Sequence, residues 1–310
     1  MSQFSQTGLV SELTLGELSL LLKKGLFTLK VGNLTIRCKT SIHSVCKSLH
    51  TLYQYHTYQV DPDFADFYVE LSTPVNLRRW LRKQVEFKVD GERPFEPLPY
   101  EQAPAFFEWG LNWIIAASCQ QWLTIHAASL EKNGRVLILP APPGAGKSTL
   151  CAALAFNGWR LFSDELTLLD IETRQAQPLA RPINLKNESI DIIKKFIPLI
   201  QWSPEIYDTI KGRVTHLVPS QDSVLRVHEV AKPQWVVFPK YIPNSDATIT
   251  IRSKPATCID LAKNGFNYSV LGADGFNMVA DLVDSCICYD FNYSQLEDAV
   301  EIFEQLSERD

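Results

Sequence analysis

Residue types capable of chemistry first concentrate at Ala141-Pro142-Pro143-Gly144-Ala145-Gly146-Lys147-Ser148-Thr149. Successive N–H groups at the start of a helix form a concave nest, and the helix dipole adds positive potential there. Gly144 and Gly146 have no Cβ, so the chain can turn sharply and approach an anion closely. Lys147 can reach the outer phosphates of a nucleotide, and Ser148 can offer its hydroxyl to Mg²⁺. The phosphate-loop pattern asks for Gly where Ala141 stands, and Pro142 and Pro143 have no N–H to donate. The amides from Gly144 through Ala145, Gly146, Lys147, Ser148 and Thr149 are untouched, and those are expected to surround the phosphates.

A second concentration is Asp164-Glu165. Paired carboxylates shortly after a phosphate loop can hold Mg²⁺ directly or through water, and one can take a proton from an attacking hydroxyl. Read without context they are two solvated acids at a strand end. His126 lies within the apolar run Leu123-Thr-Ile-His-Ala-Ala128. Such a histidine is either a hydrogen-bonded core residue or a group facing the loop. Lys211, Arg213 and His216, in Lys-Gly-Arg-Val-Thr-His, form a basic group.

The elements that must position these residues follow from pattern. Val136–Leu139 reads as a buried strand and 148–156 as a helix, with the loop between them. A strand over 123–130, the turn Lys132-Asn133-Gly134 and the strand after it make a hairpin leading into the loop. Residues 159–162 read as a strand ending at the acid pair, followed by strands over 166–170 and 183–185. The pattern further predicts helices at 189–196, 256–263, 275–284 and 294–306, and strands near 214–218, 235–238, 247–251 and 286–291. The first hundred residues read as mixed α+β: strands over 26–31 and 34–39 about Gly32-Asn33, a helix over 42–55 with Ser41 as its cap, and strands over 67–71 and 85–89. An apolar helix over 103–121, rich in Trp and Phe, joins the two regions. Residues 197–233 are polar and broken by proline.

Composition sets limits. The 310 residues suffice for two domains or one large one, and 45% hydrophobic with 21% charged is ordinary for a globular chain. A net charge of −5 predicts no attraction to nucleic acid, so an anionic nucleotide would need a focused positive site. Seven scattered cysteines without a Cys-x-x-Cys pair indicate neither a disulfide framework nor a zinc site, and Cys286 and Cys288 read as buried thiols. The N-terminus lacks the basic and apolar regions of a signal peptide, and no apolar run reaches the ~18 residues of a membrane span. A cytoplasmic location without membrane insertion is the expectation.

The order His126, hairpin, Pro-Gly-Ala-Gly-Lys-Ser, helix, then Gly158-Trp-Arg-Leu-Phe-Ser-Asp-Glu165 resembles the kinase core of the HPr kinase/phosphorylase family. More closely it resembles the HprK-related kinases, of the HprK-related kinase A type. The likeness covers about residues 120–195. It implies an α/β fold with a P-loop kinase core of the HPr kinase / phosphoenolpyruvate carboxykinase type. That core would occupy residues 121–310 behind a smaller α+β accessory domain at 1–120. It implies ATP and Mg²⁺ as cofactors, with Lys147 on the β/γ-phosphates and Ser148 on the metal. Asp164 would be the base, with His126 near it, and Glu165 would assist metal binding. Arg181 and Lys186 would face the phosphoryl group. Asp-Glu stands where that family often has Asp-Asp, and its Arg-Gly-Leu-Gly-Ile-Ile-type segment has no clear counterpart, so phosphate removal is not expected. The implied activity is phosphorylation of a serine-type hydroxyl in a peptide or small protein. A small-metabolite kinase and a non-catalytic ATP-binding regulator are the alternatives, and a homo-oligomer is compatible with the resemblance.

Overall fold

The fold is taken from a computed structural model, which describes residues 7–74, 82–142 and 144–308. Pro143 and the first six residues, on which two of the expectations above partly rest, lie outside the described residues.

A mixed α/β architecture with several sheets results. Residues 7–99 build a seven-stranded sheet. Its centre is the hairpin Phe27–Val31 and Leu34–Thr40, closed where Val31 faces Leu34. Helices Leu15–Lys24, His43–Leu52 and Ala103–Ser118 share its hydrophobic cluster through Leu18, Leu49, Phe106 and Ile114. The first helix follows Thr14, whose side chain accepts from the Glu17 amide while the Glu17 carboxylate accepts from the Thr14 amide. The second does not use Ser41 as a cap. Ile42 is its N-cap, with no side-chain cap, and the Ile42 amide donates to Thr40 Oγ1 at 3.1 Å.

The second sheet has eight strands. The long strand Trp122–Lys132 pairs antiparallel with Arg135–Pro140 across the turn Asn133-Gly134. Both turn residues have positive φ, 53° and 77°, the primed geometry that matches strand twist. Arg135–Pro140 then runs parallel to Lys232–Tyr241, which runs parallel to Ile287–Tyr293. Alternation sorts the two faces: Leu137 and Leu139 meet the helices Lys147–Ala155 and Leu296–Glu308, whereas Val136 and Ile138 meet Lys254–Asn264 and Ala273–Ser285.

A three-stranded sheet, Ile183–Lys186, Gly212–Leu217 and Ile206–Thr209, sits beside it. The stretch 197–233 holds the expected strand near 214–218, observed as Gly212–Leu217, and also the unforeseen strand Ile206–Thr209 and short helix Gln221–Leu225. The hydrophobic cluster of the N-terminal sheet extends into the second region through Leu166, Leu168, Leu179 and Val218, so apolar packing is continuous past residue 120. All seven cysteines are free, and Cys286 and Cys288 are buried as expected. No helix among the described residues is long and apolar enough to cross a membrane.

Candidate functional site

The strand Trp122–Lys132 organises the site because two different strands share one of its edges. Its later part pairs with Arg160–Ser163, placing Ser163 opposite Ser129, and its earlier part pairs with Leu166–Asp170, placing Leu166 opposite His126. Asp164 and Glu165 are the residues at which the chain steps between the two pairings. On the strand's other edge Ala127 faces Pro140, where the loop begins. Pairing register alone therefore brings His126, the acid pair and the loop together.

The loop ends at Gly146, the N-cap of Lys147–Ala155, and no side chain caps that helix. Its first amides are thus available to an anion. Gly146 has φ +88°, and its carbonyl accepts from the Tyr293 hydroxyl at 2.9 Å; a Cβ there would collide with that hydroxyl. The Ala145 carbonyl accepts from the Tyr241 amide at 3.0 Å, and the Ala145 amide donates to the Pro142 carbonyl at 3.3 Å. Ala145 is therefore already bonded at its N–H, unlike the expectation for this position. Lys147 is buried, and its ammonium donates to the Asp164 carbonyl at 2.9 Å.

Three cavities adjoin at this point. One of about 600 Å³ covers the loop and is lined by Gly144, Gly146, Lys147, Ser148, Thr149, Lys186 and Lys211 among others. A second, of about 590 Å³, shares Gly144, Gly146 and Thr149 with it and extends to Ile192, Phe196, Tyr241 and Tyr293. A third, of about 390 Å³, shares His126, Glu165 and Lys211 with the first and runs under the helix Ala103–Ser118.

The two carboxylates have different surroundings. Asp164 is buried; its Oδ2 accepts from the Asn184 amide at 3.0 Å, and its Oδ1 has no partner among the described residues. Burial raises its pKa, Lys147 opposes that, Glu165 adds to it, and Ser148 is close enough to pull it back in part. Glu165 lines both the loop cavity and the third cavity. Burial would raise it, but Lys186, Lys211, Lys147 and His126 together hold it below the ordinary carboxylate range. Lys186 lies 3.7 Å from Glu165, and Asn112 donates to its other oxygen. His126 is pushed down to about 4, by burial first and Lys147 next, so the ring is neutral at pH 7.

Among the basic candidates, Lys186 and Lys211 reach the loop cavity. Arg181 does not. Its guanidinium is buried, pairs with Glu108 at 2.7 Å, and donates to the Asn112 side-chain oxygen. Instead of facing the phosphates it is held by Glu108 and Asn112 in a small cavity that it lines with Asp164 and Glu165 and that excludes the phosphate loop. Arg213 pairs with Asp191 and Glu205, and His216 is buried with its Nε2 lacking a partner among the described residues. Pattern reading passed over Asn112, Asn184, Trp109, Trp113, Tyr241 and Tyr293, because none belongs to a motif and each arrives from a distant element. Lys211 is held by its own turn: Asn187 Oδ1 accepts from the Arg213 amide, and Thr209 Oγ1 from the Lys211 amide, both at 3.1 Å.

Among the described residues no group of three or more His, Cys, Asp and Glu is placed to hold a metal ion. A magnesium site needs fewer, since the metal keeps waters and binds through one or two carboxylates and phosphate oxygens. Ser148, which lines the loop cavity, and the neighbouring buried Asp164 carboxylate are of the type that fits that requirement.

No family profile matches the chain, and no curated protein does. Among solved structures it is similar to the Hpr(Ser) kinase/phosphatase from Coxiella burnetii, at 12% identity and a TM-score of 0.26 over 59% of this chain and 96% of that one. A likeness of that size carries no argument about function.

Proposed function

We propose that this protein is an ATP-dependent kinase that transfers the γ-phosphoryl group to a serine-type hydroxyl, in a peptide or small protein as first reading. The observation that carries it is the run of adjoining cavities, with a phosphate loop in the middle and Glu165 at the junction with the third. The nucleoside would lie against Tyr241 and Phe196, and the phosphates along Gly144–Thr149 and Lys147. Mg²⁺ would be held by Ser148 and Asp164, and when bound it neutralises charge on the β- and γ-phosphates.

This reading exchanges the roles expected of the two acids. Glu165 faces the junction, so it receives the acceptor hydroxyl; Asp164 lies behind it, next to Ser148. The acceptor oxygen attacks the γ-phosphorus, its proton passes to the Glu165 carboxylate, and the bond to the bridging oxygen breaks, leaving ADP with the electron pair. Lys186 and Lys211 neutralise charge on the transferred group. His126, neutral, packs edge-on to Phe266 at 5.7 Å and shapes the junction.

Incubation with γ-labelled ATP and Mg²⁺, with ADP release followed in parallel, tests the proposal. Transfer should disappear in Lys147→Ala and Asp164→Asn. Wild-type rates in both variants would sink it. A small-molecule acceptor is the second reading, favoured by the limited size of the third cavity, and an ADP-release screen of amino acids and sugars separates the two.

A further inference from the structure

We infer that the 390 Å³ cavity under the helix Ala103–Ser118 is the acceptor subsite, and that it takes an aliphatic hydroxyl carried on a non-acidic, apolar-faced body. The inference rests on the kinase reading, since it names the acceptor of that same site. Three observations carry it. The cavity meets the phosphate cavity only through side chains suited to the chemistry: His126, Glu165 and Lys211 line both. Its opposite wall is aromatic, with Trp109 and Trp113 from the helix and Phe266 from beyond the second sheet. Trp113 is 41% and Phe266 53% exposed, so large apolar side chains remain partly in water at the mouth, a cost a ligand would relieve.

The charge of the occupant follows from the wall. Indole faces present negative potential, and the Glu165 carboxylate lines the same cavity, 3.7 Å from Lys186. Lys211, the cation lining the cavity, already sits 5.1 Å from the Trp109 ring centre and beside Glu165. An acidic flank would meet aromatic faces and a carboxylate, whereas an apolar flank would stack on the indoles. Selection of the acceptor thus depends on residues 103–118, which precede the phosphate loop in the chain and belong to the packing of the N-terminal sheet.

A serine within a peptide and a free sugar, whose C–H face stacks on indole, share this chemistry. The full chain, loaded with Mg²⁺ and a non-hydrolysable ATP analogue, is titrated with acetyl-Leu-Ser-Leu-amide, acetyl-Asp-Ser-Asp-amide and methyl glucoside, and binding is read by calorimetry. Binding of the first or third probe, and not of the acidic peptide, is expected, and which of them binds distinguishes the sources. Trp113→Ala should weaken that binding about tenfold, the loss of roughly one stacked apolar contact, and Trp113→Phe should restore most of it. Failure of all probes to bind, preference for the acidic peptide, or binding unchanged in Trp113→Ala overturns the inference. The kinase reading is scored separately, by Lys147-dependent ATP binding without any acceptor.

Discussion

At the scale of single residues, two acids adjacent in sequence have been separated by their surroundings into a buried group and a facing group. Asp164 sits next to Ser148 with one oxygen free, and Glu165 is held ionised at the junction of two cavities. Their substitutions should therefore fail differently. Glu165→Gln is expected to lower kcat by about a hundredfold, the lower end for a positioned proton acceptor, with ATP and Mg²⁺ affinities little changed. Asp164→Asn should instead raise the Mg²⁺ concentration needed for half-maximal ATP binding. Steady-state kinetics reads the first and ATP binding over a Mg²⁺ series reads the second, and equal Mg²⁺ dependence of ATP binding in the two variants would contradict the exchange of roles. Gly146 gives a second residue-scale outcome. An alanine there must hold φ near +88° against a penalty of about 1–2 kcal/mol and also displace the Tyr293 hydroxyl, so Gly146→Ala should lose both thermal stability and ATP affinity. In Tyr293→Phe the collision is relieved, and Gly146→Ala on that background should cost less.

At the scale of elements, the helix Ala103–Ser118 is joined to the acid pair by a defined chain of bonds. Arg181 pairs with Glu108 and donates to the Asn112 oxygen, which orients the Asn112 amide so that its nitrogen donates to Glu165. Tyr53 of the N-terminal region donates to Glu108 at 2.9 Å, so the N-terminal packing reaches the site carboxylate through three side chains. Arg181→Met leaves Glu108 buried and uncompensated and is expected to cost about 3–5 kcal/mol. The double variant Arg181→Met, Glu108→Gln should recover a large part of that loss, because no charge is then left unpaired. Urea unfolding midpoints of the single and double variants check this, and a single-variant loss below about 1 kcal/mol would contradict it.

Across the whole molecule, burial holds three histidines neutral in the native state. His56 is pushed down to about 3 and His126 to about 4, and burial also lowers His216. An unfolded histidine titrates near 6.5, so between that pH and about 4 the unfolded chain binds more protons than the native one. Stability should be fully present above pH 6.5 and fall as pH drops towards 4, with Asp164, whose pKa is raised, acting in the opposite sense. Unfolding midpoints at pH 7 and pH 5 measure the loss, and it should be smaller in His126→Gln. A loss between pH 7 and pH 5 that is the same in wild type and His126→Gln would show that this ring is not held neutral.

Much of the core elements and their order was legible from local chemistry. The hairpin about Asn133-Gly134, the strand into the loop, the loop helix and the strands on either side of Asp164-Glu165 all announce themselves by turn residues and apolar period. The capping box Thr14-x-x-Glu17 was equally legible as the start of the helix Leu15–Lys24, yet no apolar pattern reading marked that helix. The grouping of His126, the loop and the acid pair depends on register, which a sequence only implies through which face each residue must bury. The destination of Arg181 was not legible, because its partner Glu108 lies 73 residues away and nothing local pairs them. Nor were the aromatic wall at Trp109 and Trp113 or the approach of Lys211. Residue type and spacing by themselves determined the loop, its lysine and the acid pair. Tertiary structure alone decided which acid faces the cavities and which basic residues reach them, since burial and long-range ion pairing are set by elements that meet only when the chain is folded.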